Sequence, residues 1–261
     1  MSRKFVMARR DLFAAGGAAA MLAAAPALAR AAKREPGDAA RKFFPDGRVH
    51  PFAGNTVLSH LDQQGPQSRP FEVMLDAYRT VPGRSYADKM TLLPPSSYHV
   101  TLFGCATDAN RAPGQWPRGV PVDASIAECS QIIGDRLRSA EIAPIVPIRM
   151  RVDRDDSGYD GNTLRMPLAP VDPAEGERLA AFRNRLADVV GLRSPGHDRY
   201  QYHITLGYVV RPFDSVELRD ALADMARWKD RLASLCPVIA LGAPEYCTFD
   251  DMFAFQRQFY L

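Results

Sequence analysis

Gln201-Tyr-His-Ile-Thr-Leu-Gly-Tyr-Val209, in the second half of the chain, repeats the pattern of Ser97-Tyr-His-Val-Thr-Leu-Phe103 in the first. Both stretches are short and rich in β-branched and aromatic residues, so both predict strands. Strand side chains alternate between faces. His99 and Thr101 therefore share one face, with Tyr98, Val100 and Leu102 on the other; His203 and Thr205 stand likewise against Tyr202, Ile204, Leu206 and Tyr208. Each strand can lay its apolar face on helices and turn His and Thr into a polar groove. One such histidine is more often a structural, hydrogen-bonded ring than a reactive one. Its recurrence with Thr at equivalent places in both halves is not asked for by packing, which would accept Val or Tyr there.

The flanking sequence extends the repeat. Before the first motif, Asn55–Leu61 reads as a strand, and Phe71, Met74, Leu75 and Tyr78 have the spacing of a helix face, with Pro70 suited to its first turn. After it come a Gly/Pro-rich loop, Gly104–Pro121, and a helix capped by Asp123 with Ile126, Cys129, Ile133 and Leu137 on one side. Pro144–Val152 and Asn162–Leu168 read as a hairpin across the acidic turn RDDSGYDG. The second half opens on Asp172, Pro173 and Glu175, a helix start, with Leu179, Phe182, Leu186 and Val190 as the apolar stripe and Gly191 as the stop. Behind the second motif, Asp214 and Glu217 open another helix, carrying Leu218, Leu222, Met225 and Leu232, and strands near Pro237–Leu241 and Met252–Tyr260 close the chain. Each half thus runs helix, motif strand, helix, strand. Two similar lobes about a pseudo-twofold axis would bring the motif strands side by side, with a cleft between the lobes.

The first 29 residues read differently. Arg3, Lys4, Arg9 and Arg10 precede an Ala/Gly-rich apolar run, Leu12–Leu28, that ends in Ala27-Leu28-Ala29, a signal peptide with an A-x-A cleavage site. Arg9-Arg10 before a weakly hydrophobic core resembles a twin-arginine export signal, departing from it at Ala8 and in lacking a downstream Lys. The run is shorter than the roughly 20 apolar residues of a spanning helix, so no stable membrane anchor is expected after cleavage. Residues 1–29 are therefore expected to be a leader, 30–53 a loose segment and 54–261 a single bilobal domain, with a periplasmic destination. The leader holds four basic residues and one acid, the whole of the chain's net charge of +3. A neutral mature protein lacks the nonspecific attraction that long nucleic acids offer a basic surface, which favours a small ligand over duplex nucleic acid. Oligomeric state is not readable. The four cysteines, Cys105, Cys129, Cys236 and Cys247, form no C-x-x-C pair. Cys129 falls on an apolar helix face, where a buried free thiol is the commoner outcome, and an oxidising compartment would permit a disulfide whose pairing stays open.

HVTL and HITL match the paired H-h-[TS]-h signature, h being apolar, of the two-histidine (2H) phosphoesterase superfamily, which includes RNA 2′,3′-cyclic phosphodiesterases and the RNA 2′-5′ ligases. The chain resembles that superfamily from about Gly54 to Leu261, and SYHVTLFGC and YQYHITLGY are similar to one of its uncharacterised bacterial branches. The resemblance implies an α+β, duplicated bilobal fold, two antiparallel sheets lining a central cleft with helices outside. It implies a metal-independent phosphodiesterase acting on a small cyclic phosphate ester, a nucleoside 2′,3′-cyclic phosphate or related ribose phosphate. His99 would protonate the leaving oxygen and His203 activate water, or the reverse, since symmetry does not assign the labels; Thr101 and Thr205 would bind the phosphate oxygens. No cofactor is implied, and the chain has no H-E-x-x-H, no H-x-H and no carboxylate cluster beside either motif to suggest a dinuclear metal centre. His60, Arg111, Trp116 and Arg118 are further candidates for substrate contact, the last three in the loop after the first motif. The competing reading is a non-catalytic periplasmic protein that binds a nucleotide or sugar phosphate in the same cleft.

Overall fold

The computed structural model describes residues 38–261; the expected leader, and residues 30–37 after it, lie outside the described residues. In chain order the elements are α1 (Asp38–Lys42), β1 (Gly54–His60), α2 (Arg69–Thr80), β2 (Met90–Leu92), β3 (His99–Thr107), α3 (Ile126–Ser139), β4 (Ile148–Val152), β5 (Thr163–Pro170), α4 (Pro173–Val190), β6 (Tyr202–Val209), α5 (Ser215–Leu235), β7 (Ile239–Leu241), β8 (Glu245–Phe249) and β9 (Gln256–Tyr260). They form two antiparallel sheets, one of order β3-β1-β8-β9 and one of order β2-β6-β5-β4-β7. α3 and α4 pack on each other and against the first sheet, α2 and α5 on each other and against the second.

Helix boundaries follow side-chain chemistry. Ser125, not Asp123, caps α3: its hydroxyl accepts the Glu128 N–H at 3.1 Å while the Glu128 carboxylate accepts the Ser125 N–H at 2.8 Å. The reciprocal pair needs an acid three residues on, which Asp123 lacks because Ile126 stands there. Asp172 accepts the Glu175 N–H at the start of α4, and Gly191 ends that helix at φ +76°, where a side chain would be strained. The apolar stripes then seal the sheets from outside. Cys129, Ile133 and Leu137 of α3 are buried with Val57, Val100 and Leu102, and Met225 and Leu232 of α5 with Met150, Leu164 and Met166. Each such side chain is worth roughly 1.5–3 kcal/mol on burial, which leaves the inner sheet faces available for polar groups.

Two expectations need correction. The segment 38–53, expected to be loose, is built into the fold: α1 leads into Phe43, which bridges to Val49 around a turn at Gly47, and Phe43 and Phe52 are buried. The halves are also not sealed lobes. β8 and β9, from the end of the chain, complete the sheet of the first motif, and β2, from the first half, edges the sheet of the second. The motif strands β3 and β6 lie against each other, but in different sheets.

The registers repeat one irregularity. Leu58 pairs with Thr101 and Val57 with Phe103, so Leu102 bulges; Arg165 pairs with Thr205 and Leu164 with Gly207, so Leu206 bulges. The extra residue falls at the same place in HVTL and HITL. A bulge shifts the alternation by one residue, so Tyr208, expected on the helix side, turns with His203 and Thr205 toward the cleft.

Candidate active site

His99, Thr101, His203 and Thr205 line one cavity of about 270 Å³ between the sheets. Along both motifs burial alternates as expected: His99, Thr101, His203 and Thr205 are partly open, while Val100, Leu102, Ile204 and Leu206 are buried. Tyr98 and Tyr202 are buried on the opposite side, as their parity requires.

The two imidazoles are anchored alike. His99 Nδ1 lies 2.6 Å from the Ser97 carbonyl oxygen and His203 Nδ1 lies 3.0 Å from that of Gln201, in each case the carbonyl two residues upstream. A carbonyl only accepts, so each Nδ1 carries the proton and donates it, leaving Nε2 as the titrating atom. Burial lowers the pKa of His99 to about 3, against the opposing Ser97 bond and with the added repulsion of His60 and His203. Burial also lowers that of His203, assisted by Arg165 and Lys42 and opposed by Gln201 and Asp160. Both rings are therefore neutral near pH 7 until an anion binds.

Several cavity residues escaped the sequence reading. Lys42, at the end of α1, lines the wall; its ammonium donates to Asp38 at 2.6 Å and to the Tyr208 hydroxyl at 3.2 Å. Burial works against that charge, but Tyr208 and Asp38 outweigh it and hold the pKa above the usual lysine value. A positive group thus stands in the same cavity as His203 and Thr205. Phe52, Phe249, Met252 and Phe255 form an apolar side, and the Phe255 ring meets that of His99 edge-on at 4.3 Å between centroids. The signal for Lys42 was present in FFPDGRV, a Pro-Asp-Gly turn between apolar residues. For the aromatic wall there was none, because its members come from loops and sheet edges far apart in the chain.

The remaining candidates fall elsewhere. His60 pairs with His99 across β1 and β3, its ring centroid 6.1 Å from that of His99, but it lines no part of the cavity. Arg111, Trp116 and Arg118, expected to contact substrate, also lie outside it. Arg111 donates to the carbonyls of Val122 and Ala124 at 2.7 Å and stacks over Trp116, whose indole donates to the Pro121 carbonyl at 3.2 Å. The Arg118 N–H is spent on the Gly191 carbonyl, and its side chain is exposed. These residues fasten the loop to the body. All four cysteines are buried free thiols.

The two halves of the site are unequal. Opposite His99 stands His60, but opposite His203 stands Pro167; opposite Thr101 stands the buried Leu58, but opposite Thr205 stands Arg165, paired with Asp156 and Asp160.

Against known proteins, residues 42–158 match the family model 2H-phosphodiest, described as a domain of unknown function (DUF1868). That span includes Lys42, His60 and the first motif; the second motif lies beyond it. The fold is similar to the crystal structure of the conserved protein of unknown function ATU0111 from Agrobacterium tumefaciens str. C58, with a TM-score of 0.77 and 27% identity over 88% of this chain and 94% of that one. The chain is 2H phosphoesterase-like. No curated protein matches it. In this 2H phosphoesterase-like chain the family model covers the strand that presents His99 and Thr101, and the structural match extends across most of both sheets.

Proposed function

We propose that the protein hydrolyses a small cyclic phosphate ester, such as a nucleoside 2′,3′-cyclic phosphate, by paired-histidine acid–base catalysis. The observation that carries the reading is the matched anchoring: two Nδ1–H groups donate to carbonyls two residues upstream, so that two Nε2 atoms and two Thr hydroxyls serve one cavity. Hydrolysis needs one proton taken and one given. The Nε2 of one neutral ring removes a proton from water as its oxygen bonds to phosphorus. The bond from phosphorus to one ribose oxygen breaks, and the other ring, protonated at Nε2, supplies the proton to that oxygen. The product is a phosphomonoester with a free hydroxyl, and the pair ends with its proton exchanged between the rings.

The neutral empty site fits this cycle. A bound phosphodiester brings a negative charge between two rings whose pKa values are held down chiefly by burial, and an opposite charge at that range favours the imidazolium. Substrate thus supplies the acid with its proton. Thr101 and Thr205 can donate to the non-bridging oxygens where charge accumulates, and Lys42 adds a cation to the same wall. A cavity of about 270 Å³ sits at the small end of ligand cavities, roughly 300–1,000 Å³, and suits a single nucleotide or sugar phosphate rather than a strand. Its aromatic side offers a base or sugar face a surface to stack on. The export signal at Arg9-Arg10, and it alone, leads us to place the reaction in the periplasm.

The test is a panel of nucleoside 2′,3′-cyclic, 3′,5′-cyclic and sugar cyclic phosphates incubated with wild type and with the His99→Ala/His203→Ala variant. The reading expects hydrolysis of at least one 2′,3′-cyclic member by wild type and none above background by the variant. Tight calorimetric binding without turnover of any member would favour the binding-protein reading instead.

A further inference from the structure

The inner face of the first sheet carries chemistry beyond the cavity. Cα partners in an antiparallel pair share a face, and so do residues two apart on one strand. Leu58 pairs with Glu245 and Thr56 with Cys247 across β1 and β8. Glu245, Cys247 and His60 therefore project to one side, two groups from one strand and the third from its neighbour. Their donor atoms meet: His60 Nδ1 lies 3.0 Å from Glu245 Oε2, Cys247 Sγ lies 4.0 Å from the same oxygen, and all three ligand atoms fall within 4.8 Å of one another.

We infer that His60, Glu245 and Cys247 form a three-donor site for one zinc-class divalent cation, with the fourth position open to water. Zinc binds nitrogen, oxygen and sulfur donors at roughly 2.0–2.3 Å in a tetrahedron, which sets the donors roughly 3.3–3.8 Å apart. The three atoms bracket that spacing, so side-chain shifts of about an ångström would close the site. Imidazole, carboxylate and thiolate together suit zinc or cobalt, whereas magnesium and calcium take oxygen donors. Glu245 and Cys247 are buried, and His60, with 23% of its side chain exposed, gives entry from solvent. Arg257 is the competitor, its Nη1 3.7 Å from Glu245 Oε2. It sits on the edge strand β9, half-exposed and hydrogen-bonded also to Tyr260, and can withdraw. None of the three donors lines the cavity, so the site does not depend on the phosphodiesterase reading.

Cobalt(II) is the probe, because thiolate-bound tetrahedral cobalt shows charge-transfer and visible bands that hydrated cobalt lacks. Titration of the full chain, reduced and stripped of metal with a chelator, is expected to develop both sets of bands at one equivalent, with zinc displacing the cobalt. Cys247→Ser is expected to abolish the charge-transfer band, His60→Ala to weaken binding about tenfold or more, and His99→Ala to leave both unchanged. A wild type without the thiolate band, a band that survives Cys247→Ser, or a band lost in His99→Ala would overturn the site. If Cys247→Ser does not fold by far-UV circular dichroism, His60→Ala and Glu245→Gln decide, and unchanged cobalt affinity in both would overturn it. The bands are read without substrate, so failure of the cyclic-phosphate assay and failure of this site are separate results.

Discussion

Lys42 divides its ammonium between Asp38 and Tyr208 while facing a cavity with two histidines. A phosphodiester carries its charge in ground and transition states alike, so a cation of this kind contributes mostly to uniform binding. Lys42→Met keeps the aliphatic stem and removes the charge; KM for the cyclic phosphate is expected to rise about tenfold with kcat changed far less, and initial-rate kinetics would show it. A drop in kcat at constant KM would instead make Lys42 a transition-state group. His99 has a signature in stability. The unfolded chain binds a proton at an imidazole near pH 6.5, whereas burial keeps the folded ring neutral down to about 3. Between those limits the unfolded state holds more protons, so stability falls as pH drops from about 6.5 toward 3. His99→Gln removes that group, and its urea midpoint is expected to fall less steeply with acid than that of wild type. Parallel slopes would contradict the burial.

Each motif strand works only because its bulge falls one residue past Thr, letting His and Thr face the cleft while Leu102 and Leu206 stay in the core. Gly207, just past the second bulge, has no room for a side chain: a Cβ there would lie 2.6 Å from the Thr91 carbonyl oxygen of β2. Gly207→Ala must push β2 away, at an expected cost of about 1–3 kcal/mol, readable as a lowered urea midpoint; an unchanged midpoint would mean that the β2–β6 contact is loose. The motifs, most helices and the β4–β5 hairpin were legible because period, caps and turn residues are local signals. The bulges were not. Their single extra residue changes no composition, and it misled the alternation argument at Tyr208. β2 and β8 were missed for the related reason that three-residue and five-residue strands gain their identity from partners distant in the chain. Ser125 was passed over for Asp123, although the acid at Glu128 marks the better cap.

At the scale of the whole molecule, duplication announced two sheets and a cleft, but the crossing of β2, β8 and β9 between halves is a tertiary choice that no local pattern records. The same holds for residues 38–53, whose polar composition concealed two buried phenylalanines and the cavity lysine. If the leader acts as proposed, the exported protein begins at Arg30, just after the Ala27-Leu28-Ala29 site; N-terminal sequencing that returns Met1 from the exported fraction would contradict export by cleavage. The account rests finally on two imidazoles acting as one device on one phosphorus atom. Groups that act as a unit lose most of their effect when either is removed. The deciding measurement is kcat/KM on the best cyclic phosphate for His99→Ala, His203→Ala and the double variant. Each single change is expected to cost about 10²–10⁴-fold, with the double variant little worse than either. Turnover that survives either single change, or losses that multiply in the double variant, would contradict the paired mechanism.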